Sequence, residues 1–207
     1  MRTSVHDCGP LPAALDTALA HYRHRIFVEG LGWSLPFADD TFERDQYDRE
    51  DTVYVVAHDD TGSICGCARL LPTTRPYLLQ EQFASLVSPD VPLPVAHDVW
   101  ELSRFAADPV ASDVGGDAAS WAVRPMLASV VECAAALGAR QLIGVTFVSM
   151  ERLFRRIGVH AHRAGPAQRI DGRQVVACWI DIDEQTLHAL GLAPSPATEP
   201  ERPALVA

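Results

Sequence analysis

The sequence predicts an α/β fold: a three-layer αβα sandwich around one mixed, mostly antiparallel sheet. Two observations lead to this prediction. The chain has 207 residues, of which 48% are hydrophobic, enough for one domain with a sizeable core. Its hydrophobic periods follow the order helix, hairpin, strand, helix, strand, helix, strand, strand. We expect residues 1–192 to form this single domain and the Pro-rich residues 193–207 to be a disordered tail.

The first half of the chain predicts a helix, a loop and a hairpin. Pro12 suits the first turn of a helix, and apolar residues recur at helical spacing from there to Gly30. These apolar residues are Leu15, Leu19, Tyr22 and Ile26. The acidic segment FADDTFERDQYDRED is poor in strand-forming residues and predicts a loop. Residues 52–58 and 63–71 predict two strands joined at the turn DDTG.

The second half predicts the rest of the sheet and its covering helices. A short helix is expected within residues 78–87, a strand at VWELSRFAAD (residues 99–108) and a flexible loop at PVASDVGGDAAS. A helix follows, with Pro125 at its start and Gly138 after its end. Next come the buried strand ARQLIGVTF and the amphipathic helix SMERLFRRIG, for which Ser149 suits the N-cap. The last two strands are expected near residues 159–164 and 174–182.

The sequence lacks the features of several protein classes. All 17 basic residues are arginine, which excludes Schiff-base chemistry and a Walker-type phosphate loop, because both need lysine. No apolar run is long enough to span a membrane, and the N-terminus has no signal-peptide core. The five cysteines are scattered, which predicts reduced thiols in a cytoplasm. Cys65-x-Cys67 and His160-x-His162 offer too few ligands for a metal site.

Charge is distributed unevenly along the chain. The net charge of −10 argues against a nucleic-acid partner. Residues 140–173 nevertheless carry seven arginines against Glu151 and Asp171, a local net charge of +5. Such a basic segment on an acidic protein predicts either a site for a localised anionic partner or a solvated surface of paired arginines.

Charged residues also interrupt the apolar strand VWELSRFAAD. Glu101, Ser103 and Arg104 lie between residues that read as core, and buried charges need partners. Arg69 alternates with Cys65 and Cys67 in its own strand, so it too is expected to be buried and to need an anion. Strand alternation puts Glu101 and Arg104 on opposite faces, and a β-bulge between them is required if both side chains reach one cleft.

These residues, taken in order, carry a resemblance to a known family. Arg23, Phe27 and Trp33, the pair Asp45 and Asp48 in DQYD, Arg69 in CARLLPT, and Glu101 and Arg104 in ELSRF stand at matching positions. In this order and spacing, the chain from about residue 20 to 182 resembles the acyl-homoserine-lactone synthases, the LuxI-type autoinducer synthases. The resemblance implies a fold like that of the GNAT acyltransferases, in agreement with the order of elements.

The resemblance also implies a reaction in two steps. The amine of S-adenosylmethionine attacks an acyl thioester on acyl carrier protein. The methionine carboxylate then closes the lactone and expels methylthioadenosine. S-adenosylmethionine is thus a co-substrate, and neither a metal nor a permanently bound cofactor is expected. By resemblance, Glu101 is the candidate general base. The resemblance places Arg69, Asp45, Asp48 and Arg104 with Glu101 among the catalytic residues. Arg69, Asp45 and Asp48 form a network that holds the N-terminal segment over S-adenosylmethionine, which Arg23, Phe27 and Trp33 of that segment contact. Arg104 has two expected roles: it pairs with acidic groups near the co-substrate, or it binds the co-substrate's carboxylate.

The acyl chain and its carrier are expected at two further places. An acyl pocket is expected between the strands around Trp100 and Thr146, lined also by Ser103, Phe105 and Phe147. By resemblance, the acyl chain has about eight carbons. In the family, the residue at the position of Thr146 tends to correlate with acceptance of a 3-oxo acyl group. The acidic carrier is expected to dock on the exposed arginines of the basic segment. These are Arg152, Arg155, Arg156 and Arg163.

Two alternatives stay open at this level. One is a GNAT N-acetyltransferase that uses acetyl-coenzyme A, although the usual glycine-rich pyrophosphate loop is absent from DPVASDVGGDAAS. The other is a non-catalytic domain that binds an acyl ligand, for which the charged residues of ELSRF have no evident use.

Overall fold

A computed structural model of the chain describes residues 1–7, 9–33, 40–108 and 118–193. Cys8, most of the predicted loop at residues 109–120 and nearly all of the predicted tail lie outside the described residues. Within them the chain forms eight strands, five α-helices, one π-helix and one 3-10 helix. The described helices include none that is long and apolar enough to cross a membrane.

The eight strands form one sheet. They are β1 (Arg2–His6), β2 (Val53–His58), β3 (Ile64–Pro72), β4 (Val99–Ala107), β5 (Gln141–Phe147), β6 (Ala161–Arg163), β7 (Gln168–Ile170) and β8 (Arg173–Asp181). Their order across the sheet is β1-β2-β3-β4-β5-β8-β6, and β7 also pairs with β8. Strands β4 and β5 are parallel, while the other described pairs are antiparallel. The predicted mixed, mostly antiparallel sheet is confirmed.

Helices cover both faces of the sheet. They are α1 (Ala13–Arg23), a π-helix (His24–Gly30), α2 (Leu78–Gln82), a 3-10 helix (Ala84–Leu86), α3 (Ala118–Ala136), α4 (Val148–Arg156) and α5 (Glu184–Leu190). One core contains residues of α3, α4 and α5. The opposite face carries two smaller cores, one with α1 and the π-helix and one with α2. This is the predicted three-layer arrangement.

The first helix continues as a π-helix from His24. A single helix was expected up to Gly30, because apolar spacing does not distinguish the wider π turn from an α turn. Pro12 is the N-cap of α1 and not a residue of its first turn. π-Helical turns are rare and occur frequently at functional sites, and this one carries Phe27, one of the predicted site residues.

Two other helix predictions are wrong in detail, and one helix was missed. Helix α3 begins seven residues before Pro125, which lies inside it. A proline can be accommodated there because tertiary packing overrides the loss of one backbone hydrogen bond. Ser149 lies inside α4, whose N-cap is Phe147. Helix α5 was not predicted, although Asp183 caps its first turn and Gly191 ends it in the left-handed conformation.

Strands β4 and β5 part beyond their first residues. Their pairing covers Val99–Glu101 against Gln141–Ile143, yet β4 extends to Ala107 and β5 to Phe147. At Gly144 the carbonyl oxygen of Leu102 approaches so closely that an added Cβ would lie 2.2 Å from it. Glycine therefore allows the closest approach just before the strands separate.

The β-bulge that the charged residues of β4 require is present. Ser103 pairs with Arg69 and Ala106 pairs with Cys67, so that two residues of β4 stand opposite one of β3. Arg104 lies in the bulge with a φ of 51°, a region that few non-glycine residues adopt. The bulge turns Arg104 to the face that carries Glu101 and Ser103.

Candidate active site

Six buried or nearly buried charged residues form one network beside the bulge. We call it the arginine–carboxylate network, and its members are Arg23, Arg69, Arg104, Glu43, Asp45 and Asp48. Its three positive and three negative charges balance. Balanced pairing is what makes so many buried charges tolerable, because an unpaired charge in the core is very costly.

Arg69 lies at the centre of the network and is fully buried. Its guanidinium bonds both oxygens of Asp45, at 2.5 and 3.0 Å, and Asp48 Oδ1 at 2.9 Å. Its Nε donates to Ser103 Oγ at 3.0 Å. Strand β3 thereby holds the acidic segment around residues 45–48. Cys65 does not share this face: it packs in the α3 core, because the β2–β3 register shifts beside it.

Arg104 connects the network to two aromatic rings. Its guanidinium donates to Glu43 Oε1 at 2.9 Å and to Asp45 Oδ2 at 2.7 Å. The same group lies 5.6 Å from the ring centre of Phe27 and 5.7 Å from that of Trp33. The two rings stack with their centres 5.0 Å apart. The segment that follows α1 is therefore fixed to β4 by ion pairs and by cation–π contacts.

Arg23 closes the network from the end of α1. Its Nε bonds Glu43, its Nη1 donates to Asp48 Oδ1 at 2.7 Å, and Asp48 also accepts from Tyr54. Arg23 Nη2 is buried without a hydrogen-bond partner. Burial alone would raise the pKa of Asp48, but Arg23 and Arg69 reverse this and hold it well below its usual range. Arg23 and Arg104 likewise outweigh burial and lower the pKa of Glu43.

Glu101 lies apart from the network and has a different partner. Its carboxylate is fully buried and accepts the backbone N–H groups of Leu78 and Leu79 at 2.9 and 2.6 Å, at the start of α2. Burial raises the pKa of Glu101 to about 7, even though these two bonds and the more distant Arg69 oppose the shift. A carboxyl with such a pKa exchanges protons near neutral pH.

The five predicted acyl-pocket residues divide between the two faces of the sheet. Trp100 and Phe105 pack against the core of α3 and α4, and Phe105 meets Phe154 edge to face. Thr146 stands opposite Val176, a member of that same core. Ser103 is engaged by Arg69 on the other face, where Phe147 also packs. Of the five predicted residues, only Trp100, Phe105 and Thr146 could therefore line a pocket on the α3 face.

The predicted docking arginines are exposed at α4 and β6. Glu151, which is fully buried, accepts from Arg155 at 3.3 Å and from Arg163 at 2.9 Å. Arg152 is exposed on α4. The Arg155 side chain keeps 64% of its surface exposed despite its pairing. The surface is thus partly paired and still strongly basic.

The described residues contain no cluster of His, Cys, Asp and Glu suited to a metal ion. His160 and His162 instead contact carboxylates, His160 with Asp183 at 2.6 Å and His162 with Asp181 at 3.2 Å.

One residue of the network escaped the sequence analysis. Glu43 lies two residues before Asp45 in a segment that also contains Asp39, Asp40, Glu50 and Asp51. Nothing in that pattern distinguishes Glu43, which is fully buried, from its acidic neighbours.

The sequence model of the autoinducer synthase family matches residues 13–190. The chain belongs to the autoinducer synthase family. This synthase is 67% identical over 200 residues to an acyl-homoserine-lactone synthase from Ralstonia solanacearum, covering 97% of the chain and 98% of the relative. The predicted family and class of enzyme, an acyltransferase that makes acyl-homoserine lactones, are confirmed. An acetyl-coenzyme A-dependent N-acetyltransferase and a non-catalytic domain are therefore no longer favoured.

Solved structures resemble the autoinducer synthase over nearly its whole length. TofI, in a ternary complex with an inhibitor and MTA, superposes with a TM-score of 0.83 at 63% identity, over 94% of this chain and 98% of TofI. BjaI, a CoA-dependent acyl-homoserine lactone synthase seen with SAM and isopentyl-CoA, gives 0.76 at 27% identity, over 93% and 92%. A candidate N-acetyltransferase from Lactobacillus plantarum gives 0.55 at 20% identity, over 87% and 99%, and supports the GNAT-like fold alone.

Proposed function

We propose that this synthase transfers a medium-length acyl group, near eight carbons, from acyl carrier protein to the amine of S-adenosylmethionine. The methionine carboxylate then closes the lactone and releases methylthioadenosine. The observation that carries this proposal is the arginine–carboxylate network beside the parted strands. The complexes of TofI with MTA and of BjaI with SAM support the same co-substrate here.

Glu101 is the proposed general base of the acyl transfer. The attacking amine must lose a proton, and the best base at neutral pH has a pKa near 7. Burial raises the pKa of Glu101 to about that value. Each carboxylate oxygen accepts one backbone N–H and keeps a second lone pair for a proton. Because the group is fully buried, the amine or a linking water has to reach it from the cleft between β4 and β5.

The network positions the co-substrate rather than reacting with it. Its three positive and three negative charges balance, so it acts as a rigid wall that fixes Phe27 and Trp33. The Nε and Nη2 groups of Arg104 donate to Glu43 and Asp45. This agrees with the first of its two expected roles, pairing with acidic groups near the co-substrate. Arg23 is buried with its Nη2 unpartnered, which makes it the better donor to a ligand.

The acyl chain is proposed to enter between β4 and β5 on the α3 face. Trp100, Phe105 and Thr146 belong to that face, and the parted strands leave backbone N–H groups free to bond the thioester oxygen. Thr146 is partly exposed, so its hydroxyl is available to a 3-oxo group. Ser103 and Phe147 lie on the other face and would meet the co-substrate side of the cleft instead.

The proposed acyl donor is an acyl carrier protein docked on Arg152, Arg155, Arg156 and Arg163. Carrier proteins of this class are acidic, and electrostatic complementarity favours a basic surface on an otherwise acidic enzyme. The CoA dependence of BjaI makes an acyl-CoA the second candidate donor.

The proposal is tested with purified enzyme, S-adenosylmethionine and either octanoyl acyl carrier protein or octanoyl-CoA. We expect methylthioadenosine and lactone in equal amounts, with a higher kcat/KM for the carrier protein. Equal or better use of octanoyl-CoA would overturn the donor assignment. Lack of product with both donors at several chain lengths would overturn the reaction itself.

A further inference from the structure

We infer that Glu151 is a positioning residue for carrier docking: its buried carboxylate holds the guanidinium groups of Arg155 and Arg163 in one fixed arrangement. These two arginines form the basic surface together with Arg152 and Arg156. The inference rests on the proposed function, because the docked partner is the acyl carrier protein. It gives a negatively charged residue a part in the recognition of an acidic partner.

Glu151 lies beneath the basic surface and not on it. The residue is fully buried, although it belongs to α4, where the next residue, Arg152, is exposed. Leu153 and Phe154 of the same helix pack in the core that contains α3, so α4 is fixed to the sheet close to Glu151. The carboxylate therefore occupies a fixed place under the exposed side chains.

The carboxylate joins two elements that both carry docking arginines. Its Oε1 accepts from Arg155 Nη1 of α4 at 3.3 Å, and its Oε2 accepts from Arg163 Nη2 of β6 at 2.9 Å. Burial would raise the pKa of Glu151, but its bonds to Arg163 and Arg155 outweigh this and lower it. Glu151 is therefore ionised at neutral pH, and both bonds are charge-assisted.

Both arginines remain accessible to a partner while Glu151 holds them. The Arg155 side chain is 64% exposed and that of Arg163 is 37% exposed, against 1% for Glu151. Each guanidinium has further N–H donors to present outward. When a partner has to immobilise a long side chain itself, affinity falls by roughly a factor of two to twelve. Because Glu151 orders two such side chains in advance, docking loses less affinity in this way.

Net charge and side-chain order predict opposite results for a change at Glu151. Its negative charge reduces the attraction between this surface and an acidic carrier. If charge alone mattered, removal of this charge would strengthen carrier binding. If Glu151 holds the arginines in place, its removal weakens binding although the surface becomes more basic. The sign of the change therefore separates the two explanations.

The test compares Glu151→Gln and Glu151→Asp with the control Asp171→Asn. Glutamine removes the charge at nearly constant size, while aspartate keeps the charge but withdraws it from both arginines by one methylene. Asp171 is exposed between β7 and β8, with a φ of 48° that asparagine also adopts. The control thus removes one negative charge from the same basic segment and leaves Glu151 in place.

For each variant, KM for octanoyl acyl carrier protein, KM for S-adenosylmethionine and kcat are measured, with circular dichroism as a check of folding. We expect Glu151→Gln to raise KM for the carrier protein about fivefold or more, the effect of two side chains that lose their order. Glu151→Asp should raise it by a smaller factor. KM for S-adenosylmethionine should stay unchanged in both variants. Asp171→Asn should leave KM for the carrier protein unchanged or lower it slightly.

A carrier KM that is unchanged or lower in folded Glu151→Gln would overturn the inference. An equal rise in Asp171→Asn, or an equal rise in both KM values of Glu151→Gln, would also overturn it. A merely structural role would lower the folded fraction and leave the carrier KM unchanged. If Glu151→Gln does not fold, Glu151→Asp decides by the same criteria.

Failure of the proposed docking site has a different result. If Arg152→Glu with Arg156→Glu leaves the carrier KM unchanged, the carrier does not dock on this surface, whatever the Glu151 variants do. If that double variant raises the carrier KM and Glu151→Gln does not, the docking site stands and the role of Glu151 is refuted.

Discussion

The contact between Arg69 and Asp45 gives the sharpest test of the arginine–carboxylate network. We predict that Arg69→Met and Asp45→Asn each destabilise the protein strongly, and that the double variant loses much less than the sum. Methionine keeps most of the volume of arginine, so that the effect reports the lost charge more than a cavity.

The magnitude follows from burial and geometry. Arg69 is fully buried and holds both oxygens of Asp45, whose side chain is 9% exposed. Breaking a buried pair by removing one partner costs about 3–5 kcal/mol, because a charge is left uncompensated. In the double variant neither charge of the pair is left behind, and a coupling of about 1–3 kcal/mol is expected. The contact between Asp45 and Arg104 is altered equally in Asp45→Asn and in the double variant, so it cancels.

Urea unfolding, followed by circular dichroism, measures the four free energies. Asp16→Asn and Arg44→Met form the matched control, since this exposed pair has a similar contact distance of 2.6 Å and should contribute about 0–1 kcal/mol. Additive losses at Arg69 and Asp45 would contradict the account, as would a coupling no larger than that of the control pair.

Three further predictions concern Glu101 and the basic surface. Glu101→Gln should keep the fold and lower kcat about 100- to 10,000-fold, as removal of a general base does; full activity at neutral pH would rule Glu101 out. Burial raises the pKa of Glu101 from 4.5 to about 7, so the folded state binds more protons between these values and stability should fall as pH rises from about 5 to 7. In Glu101→Gln, the midpoint of urea unfolding should depend less on pH over this range. An unchanged pH dependence would show that Glu101 does not cause it. Arg152→Glu with Arg156→Glu should raise KM for the carrier protein several-fold and leave KM for S-adenosylmethionine unchanged, with the wild-type rate falling as salt screens the attraction; an unaffected carrier KM would exclude this surface as the docking site.

The sequence predicted the sheet because it depends on local, regular signals, whereas the resemblance to the synthase family supplied Arg23, Asp45 and Asp48 of the network. Alternating apolar residues identify β2 to β5, and a charge inside a core strand, as at Arg69 and Arg104, demands a partner. The bulge at Arg104 could also be predicted, since Glu101 and Arg104 otherwise face opposite sides. The ion-pair partner of Arg104, Glu43, could not be predicted. Which carboxylate of an acidic segment pairs with a given arginine depends on distances that the fold alone determines.

Other elements were missed for different physical reasons. Strand β1 is short and lies at the sheet edge, so its alternation covers only five residues. The π-helix carries the same apolar spacing as the α-helix before it. Pro125 satisfied the local rule for a helix start, but the packing of α3 on the sheet outweighed that rule. The face of the sheet on which Ser103 and Phe147 lie could not be predicted, because it depends on the bulge and on the point where β4 and β5 part.

The mass of the product tests the central claim most directly. Extracts from a host that expresses this chain, and lacks a lactone synthase of its own, are analysed by mass spectrometry after growth with isotopically labelled methionine. The account predicts an N-acyl homoserine lactone with an acyl chain near eight carbons and the label in its lactone ring, formed in far smaller amounts by a host that expresses Glu101→Gln. An acyl chain of four carbons, or of more than twelve, would contradict the acyl assignment. Soluble protein without any labelled lactone would contradict the reaction.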